Sequence, residues 1–136
     1  MSLKKTYIDS GVLITAFRGI QSASIRANSI LNNGNREFVS SQFVKLEVLP
    51  KAIYNQQQDE TDFYETFFSA VSYWATDLEQ ITNDAYQIAC TYGLAAIDAL
   101  HVAAALWLKA DELITTEKPT KPMHRVTVIQ IISINA

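Results

Sequence analysis

Apolar positions along this chain switch repeatedly between short β-prone runs and helical spacing. Thr6 to Ile8 are β-prone and stop at Asp9-Ser10-Gly11, after which Val12, Leu13, Ala16 and Phe17 recur at the helical period. A second helix is predicted over Ser22 to Asn32, carrying Ile25, Ile30 and Leu31, with Asn33-Gly34-Asn35 as its ending. Phe38 to Ser40 read as a short strand. Ser41 reads as the cap of a helix carrying Phe43, Val44, Leu46 and Glu47, which Pro50 is expected to bend or divide. Past a polar turn, Phe63, Phe67, Ala70, Val71 and Trp74 mark a strongly amphipathic helix. Thr82 or Asn83 is expected to cap a further helix through Ile88 to Tyr92, closed by Gly93. The stretch from Ile97 to Lys109 is alanine-rich and almost wholly apolar beyond its first turn, which predicts the most buried helix. Leu113 to Thr115 and Val126 to Ile132 complete the strand candidates.

Strands that alternate with helices, with few hairpin signals, predict an α/β fold: a three-layer α/β/α sandwich around a central, mostly parallel sheet. A length of 136 residues, 49% of them hydrophobic, suits one domain over 1–136 with a sizeable core. The formal charge of −3 supplies no global field for nucleic acid or anionic lipid, so partners must be sought in local features. No apolar run approaches the ~20 residues that cross a bilayer, and none follows Lys4 and Lys5 as in a leader; a cytoplasmic protein with no membrane partner is expected. The single cysteine, Cys90, excludes an internal disulfide and a thiolate zinc cluster. The apolar helix pattern around it speaks against a thiol nucleophile.

In open α/β sheets, ligands bind beyond the carboxyl ends of the strands. Asp9 ends the first strand candidate and Glu117 lies two residues past Thr115. Asp98 opens the apolar helix, while Glu47 sits in an otherwise apolar helical segment. Carboxylates gathered in one place repel and raise one another's pKa unless a cation neutralises them. Oxygen donors without paired histidines or cysteines favour Mg²⁺ or Mn²⁺ over zinc, and phosphodiester hydrolysis is the chemistry that follows. Each acid also has an ordinary explanation. Asp9 can cap its helix, Asp98 can complement its helix dipole, Glu47 can pair with Lys51 one turn on, and Glu117 can be a solvated loop acid.

Tyr7-Ile8-Asp9-Ser10 before an apolar helix, the run Gly93-Leu94-Ala95-Ala96-Ile97-Asp98-Ala99-Leu100-His101-Val102-Ala103-Ala104-Ala105, and Leu113-Ile114-Thr115-Thr116-Glu117 after Ala110-Asp111 resemble a PIN domain of the VapC-like type. The Asp98 segment is the most specific, and the resemblance spans nearly the whole chain. It implies a Mg²⁺- or Mn²⁺-dependent ribonuclease, the toxin of a type II toxin-antitoxin pair, with RNA as substrate and an antitoxin or a second copy of the chain as partner. By position, Asp9, Glu47 and Asp98 would be catalytic, metal-binding acids. The family usually has aspartate at the fourth place, where this chain has Glu117; the extra methylene is expected to make its contact with the ion water-mediated. Thr115 matches the family's hydroxyl position, suited to orienting a carboxylate or a water. The rival reading is a catalytically weak or inactive module that binds RNA or a protein. Cleavage abolished by Asp9→Asn would separate the two.

Other residues change the picture less. His101, one turn past Asp98, is expected either to hydrogen-bond to the acid cluster or to serve as a packing histidine. His124 reads as a solvated loop residue. Lys118, Lys121 and Arg125 form a basic segment that could grip RNA phosphates or merely solvate a loop. Phe63, Tyr64, Phe67, Phe68, Tyr73 and Trp74 cover more than one helix face, so Tyr64 and Phe68 are candidates for exposure to a partner, an antitoxin helix or a second copy. Gly11 stands where a phosphoaspartate phosphatase needs its second aspartate, and no G-x-G-x-x-G or P-loop pattern occurs.

Overall fold

The computed structural model describes residues 3–135. In chain order the elements are β1 (Lys4–Ile8), α1 (Ser10–Arg18), α2 (Gln21–Leu31), β2 (Arg36–Ser41), α3 (Gln42–Tyr54) and α4 (Gln58–Ser69). There follow β3 (Tyr73–Ala75), α5 (Leu78–Tyr92), α6 (Ala96–Trp107), β4 (Glu112–Thr115), a 3₁₀ turn (Pro122–Arg125) and β5 (Gln130–Ser133). The strands form one sheet in the order β3-β2-β1-β4-β5, and every neighbouring pair is parallel. Tyr7, Ile8, Val39, Leu113 and Ile114 are fully buried, as strands covered on both faces must be.

From β1 the chain works outward through β2 to β3, then crosses back to β4 and β5. Right-handed crossovers put α1 to α4 on one face and α5 and α6 on the other. Packing agrees: α1 lies against α2, α3 and α4, while α5 lies against α6 and the 3₁₀ turn. The direction of winding therefore reverses between the adjacent strands β1 and β4, and the loops leaving their carboxyl ends part to opposite faces. That divergence opens a crevice.

The alanine-rich segment is the most buried helix. Ala99 and the run from His101 to Ala105 in α6 are all buried, short side chains letting the helix approach the sheet closely. Gly93 ends α5 at φ 68°, a left-handed conformation that costs glycine nothing. Among the described residues, no single helix is long and apolar enough to cross a membrane.

Several expectations need correction. Trp74 lies in β3 rather than in a helix, because α4 stops at Ser69 and a three-residue edge strand is too short to show alternation. Tyr64 and Phe68 are buried, 0% and 6% exposed, which removes them as a partner surface. Helix α4 is covered on two sides: Phe63 and Tyr64 meet Phe17 of α1 at centroid distances of 5.5 and 6.4 Å, and Phe68 meets Trp74 at 5.6 Å. Pro50 is accommodated inside an unbroken α3. Leu46, whose carbonyl loses its helical partner, is 68% exposed, so water can replace the missing bond. Helix α5 starts earlier than expected, with Asp77 accepting from the Gln80 N–H at 3.1 Å. Cys90 is exposed, because α5 is amphipathic rather than enclosed.

Candidate metal centre

The end of β1 sets the first acid. The Asp9 N–H still bonds the Ile114 carbonyl at 3.0 Å, so the residue stands at the tip of the β1–β4 ladder. Asp9 occupies the N-cap position of α1, yet its side chain makes no capping bond. Its Oδ2 instead accepts from the Thr115 hydroxyl at 2.8 Å. Thr115 is the fully buried last residue of β4, and its oxygen accepts from the Glu117 N–H at 3.1 Å. The start of α1 also touches the loop after β4 at Gly11, where a Cβ would sit 2.3 Å from Thr116 Oγ1. Only glycine allows that approach.

Glu47 reaches the same place from α3. Its Oε1 accepts from the Ser10 hydroxyl at 2.5 Å and lies 2.5 Å from His101 Nε2. No ion pair with Lys51 occurs among the described residues. His101, on α6 and 1% exposed, also brings Nε2 to 3.7 Å from Asp9 Oδ1. Its Nδ1 lies 2.8 Å from the Tyr7 hydroxyl, which lies 2.7 Å from Ser41 Oγ. Asp9, Glu47 and His101 each present a donor atom, all within 4.8 Å of one another. His101 is thus neither exposed nor a mere packing residue.

Asp98 and Glu117 stand outside that tight group but within its field. Both are half-buried. Burial pushes the Asp98 carboxyl above its ordinary pKa, and the charges of Asp9, Glu117 and Glu47 push the same way, against a smaller opposing pull from His101. Glu47 is held below the usual range, first by its bond to His101 and then by Ser10, against the effect of burial. For His101, burial disfavours the charged ring, but the bond to Glu47 and the charges of Asp9, Glu47 and Asp98 outweigh it and raise the pKa. Burial drives Tyr7 far upward, so its hydroxyl keeps its proton.

The loop after β4 carries the basic segment. Lys118 and Lys121 are exposed and joined by a turn, the Lys121 N–H bonding the Lys118 carbonyl at 2.9 Å. Arg125 is also exposed, and its guanidinium donates to the Tyr92 carbonyl at 3.0 Å, at the end of α5. His124 is not simply solvated: Nε2 lies 2.8 Å from the Glu117 carbonyl and ties the loop down. Sequence reasoning missed Tyr7, Ser10 and Ser41. A tyrosine inside a buried strand must satisfy its hydroxyl, and that requirement was the one available signal for Tyr7.

The donors fit a hard divalent cation. Asp9 and Glu47 bring carboxylate oxygens within 4.8 Å of each other and of His101, and burial and the charges of Asp9, Glu117 and Glu47 disfavour a charge on Asp98. The ion pairs among the described residues join Lys4 and Arg36 to Glu112, Arg18 to Glu60, and His101 to Asp9 and Glu47. None brings a lysine or arginine to the four acids.

Comparison with known proteins extends this picture. No curated protein matches the chain by sequence. Among solved structures, VapBC-1 from nontypeable Haemophilus influenzae superposes with a TM-score of 0.72 at 21% identity, covering 97% of this chain and 99% of the other. A toxin-antitoxin complex from Klebsiella pneumoniae gives 0.72 at 19% identity over 95% and 97%. VapBC2 from Rickettsia felis, bound to a promoter DNA fragment, gives 0.70 at 12% identity over 95% and 98%. These likenesses concern the fold. The family model for the PIN domain matches residues 6–119, most of the chain and every acid of the crevice. The protein belongs to the PIN domain family.

Proposed function

We propose that this PIN domain is a Mg²⁺- or Mn²⁺-dependent endoribonuclease and the toxin of a VapC-like toxin-antitoxin pair. The observation that carries the reading is the meeting of Asp9, Glu47 and His101 within 4.8 Å at the switch between β1 and β4, near enough for the charges of Asp9, Glu47 and Glu117 to act on Asp98, with no lysine or arginine in an ion pair with these acids among the described residues. Asp9, Glu47 and Asp98 would hold the ion, and Glu117 would complete or tune the site. A divalent ion bound there supplies Lewis-acid stabilisation of charge on a scissile phosphate and activation of a water.

The chain's own residues prepare this chemistry. Thr115 fixes one oxygen of Asp9 and leaves the other facing Glu47 and His101. Ser10 and His101 hold Glu47 ionised. Burial and the charges of Asp9, Glu117 and Glu47 disfavour the charged form of Asp98, a penalty a bound cation would relieve. Lys118 and Lys121, exposed next to Glu117, offer RNA phosphates a local attraction that the net charge of −3 does not. An antitoxin protein is the partner that goes with the toxin reading. The solved complexes of similar fold support such a partner.

Cleavage of a mixed RNA pool tests the function. The wild type should cut with Mn²⁺ or Mg²⁺ and stop with chelator, and Asp9→Asn should lower the rate by about 100-fold or more, since metal stabilisation is worth several kcal/mol. RNA binding without cleavage, unchanged in Asp9→Asn, would favour the binding-module reading instead.

A further inference from the structure

The geometry points to Tyr7, braced by Ser41 and acting through His101, as a positioning residue that holds Glu47 in the metal centre. This inference rests on the proposed metal-dependent function and concerns what sets the affinity of the site.

Glu47 needs a holder. It is a long side chain on a helix surface, and 36% of it is exposed, so an unrestrained carboxylate would sample several rotamers. A column of hydrogen bonds prevents this. It runs from Ser41 Oγ to the Tyr7 hydroxyl (2.7 Å), from that hydroxyl to His101 Nδ1 (2.8 Å), and from His101 Nε2 to Glu47 Oε1 (2.5 Å). The first three members are almost wholly shielded from water: Tyr7 and Ser41 are 0% exposed and His101 1%. Buried polar atoms of this kind must find partners, and here each finds the next member of the column.

The column also closes a ring through the fold. Ser41 is the N-cap residue of α3, and Glu47 lies further along the same helix. Between them the path passes through β1 by Tyr7 and through α6 by His101. Ser41 makes no capping bond with its hydroxyl, which serves Tyr7 instead. The helix carrying Glu47 is thereby fixed to the strand carrying Asp9 and to the helix carrying Asp98. Tyr7 also meets the imidazole edge-on, with ring centroids 5.8 Å apart and planes at 61°. The ring cannot turn away without losing that contact and both nitrogen partners. A neutral imidazole accepting from Tyr7 at Nδ1 carries its proton on Nε2, aimed at Glu47. Partners that orient metal-site groups from behind commonly contribute 10- to 100-fold in metal affinity.

Tyr7→Phe keeps the buried ring and deletes only the hydroxyl. Mn²⁺ binding should be titrated by the resonance of the free ion in the wild type, Tyr7→Phe, Glu47→Gln and the double variant, with thermal unfolding followed alongside. We expect Tyr7→Phe to weaken binding about 10-fold, and to add less than about 2-fold in the Glu47→Gln background, because its effect passes through Glu47. Ser41→Ala should show a smaller loss in the same direction, and it carries the test if Tyr7→Phe does not fold. Wild-type affinity in both Tyr7→Phe and Ser41→Ala, with Glu47→Gln weakened, overturns the inference while leaving the metal site intact. Equal losses in both backgrounds overturn it too, since they mark a general structural role. Nitrogen coupling to bound Mn²⁺ would make His101 a ligand rather than a holder and likewise overturn it. A wild type that binds no better than Glu47→Gln removes the metal reading itself and the inference with it.

Discussion

Two sets of carboxylates occupy opposite situations in this molecule. Glu112, at the amino end of β4, is fully buried and compensated: its Oε2 accepts from the Thr6 hydroxyl at 2.6 Å and from Arg36 Nε at 2.9 Å, and Lys4 lies 3.8 Å from Oε1. Glu60 on α4 is also buried and compensated, by Arg18 Nε and a second guanidinium nitrogen (2.7 Å) and by the Tyr64 hydroxyl at 2.6 Å. At the carboxyl end of the sheet, Asp9 and Glu47 meet one imidazole, Asp98 lies within reach of their charges and that of Glu117, and no ion pair among the described residues brings a lysine or arginine to these acids. The fold supplies arginine to a buried acid in two places and, among the described residues, pairs none with the acids at the third. Compensated acids hold elements together.

The largest effect that could break this contrast lies at the compensated end. Arg36→Leu leaves Glu112 buried without its close cation, and such a loss costs about 3 kcal/mol. Urea unfolding should show a lower midpoint with an unchanged slope, and Mn²⁺ affinity should stay at the wild-type value. A cost below about 0.5 kcal/mol would mean that Glu112 needs no compensation, a result typical of surface pairs.

Acid sharpens the contrast at Glu60. Burial pushes its carboxyl up, but the bonds from Arg18 and Tyr64 and the charges of Arg18 and Lys51 prevail, so its folded pKa lies below the ordinary 4.5. A depressed folded pKa means that the unfolded chain binds the proton first. The stabilisation is therefore complete above the unfolded pKa and is lost as pH falls through the folded one. The stability advantage of the wild type over Glu60→Gln should persist at pH 7 and shrink steadily below about pH 4.5. A gap that widens on acidification would reverse the assignment.

At the uncompensated end the sign of a neutralising substitution should invert. Asp98 stands in the first turn of α6, where the helix dipole favours its charge by about 0.3–1 kcal/mol. Burial and the neighbouring acids push its carboxyl pKa up, against that gain. Asp98→Asn should therefore stabilise the metal-free protein, by about 1 kcal/mol or less. Added Mn²⁺ should raise the melting temperature of the wild type more than that of the variant, reversing their order. A destabilised metal-free Asp98→Asn would show that the acid is held by the fold rather than strained by it.

The smallest effect concerns Glu117, which lies outside the group formed by Asp9, Glu47 and His101. Glu117→Asp should retain or raise RNA cleavage, and Glu117→Gln should lower it less than Asp9→Asn does, because three carboxylates can still hold one hard cation with water in the open positions. Equal inactivity of Glu117→Gln and Asp9→Asn at every Mn²⁺ concentration would make Glu117 a direct ligand or base.

Legibility from the sequence followed the reach of each interaction. Hydrophobic periodicity and the Gly93 ending are local, so α1, α2, α6 and four of the strands were readable within a few residues of their bounds. The alternation of strand and helix was enough to determine a parallel α/β sheet, and the runs around Asp9, Asp98 and Thr115 were enough to single out the family. Tertiary structure decided what depends on contacts distant in sequence. The edge strand β3 exists because β2 offers it a ladder, and Tyr64 and Phe68 are buried because α1, β3 and α3 cover both sides of α4. Whether Glu47 would pair with Lys51 along its own helix or with Ser10 and His101 across the fold was likewise open in the sequence. A helical neighbour one turn away is always available to a solvated pair, whereas a bond to an imidazole 54 residues onward exists only when the crossover to β4 brings α6 beside α3.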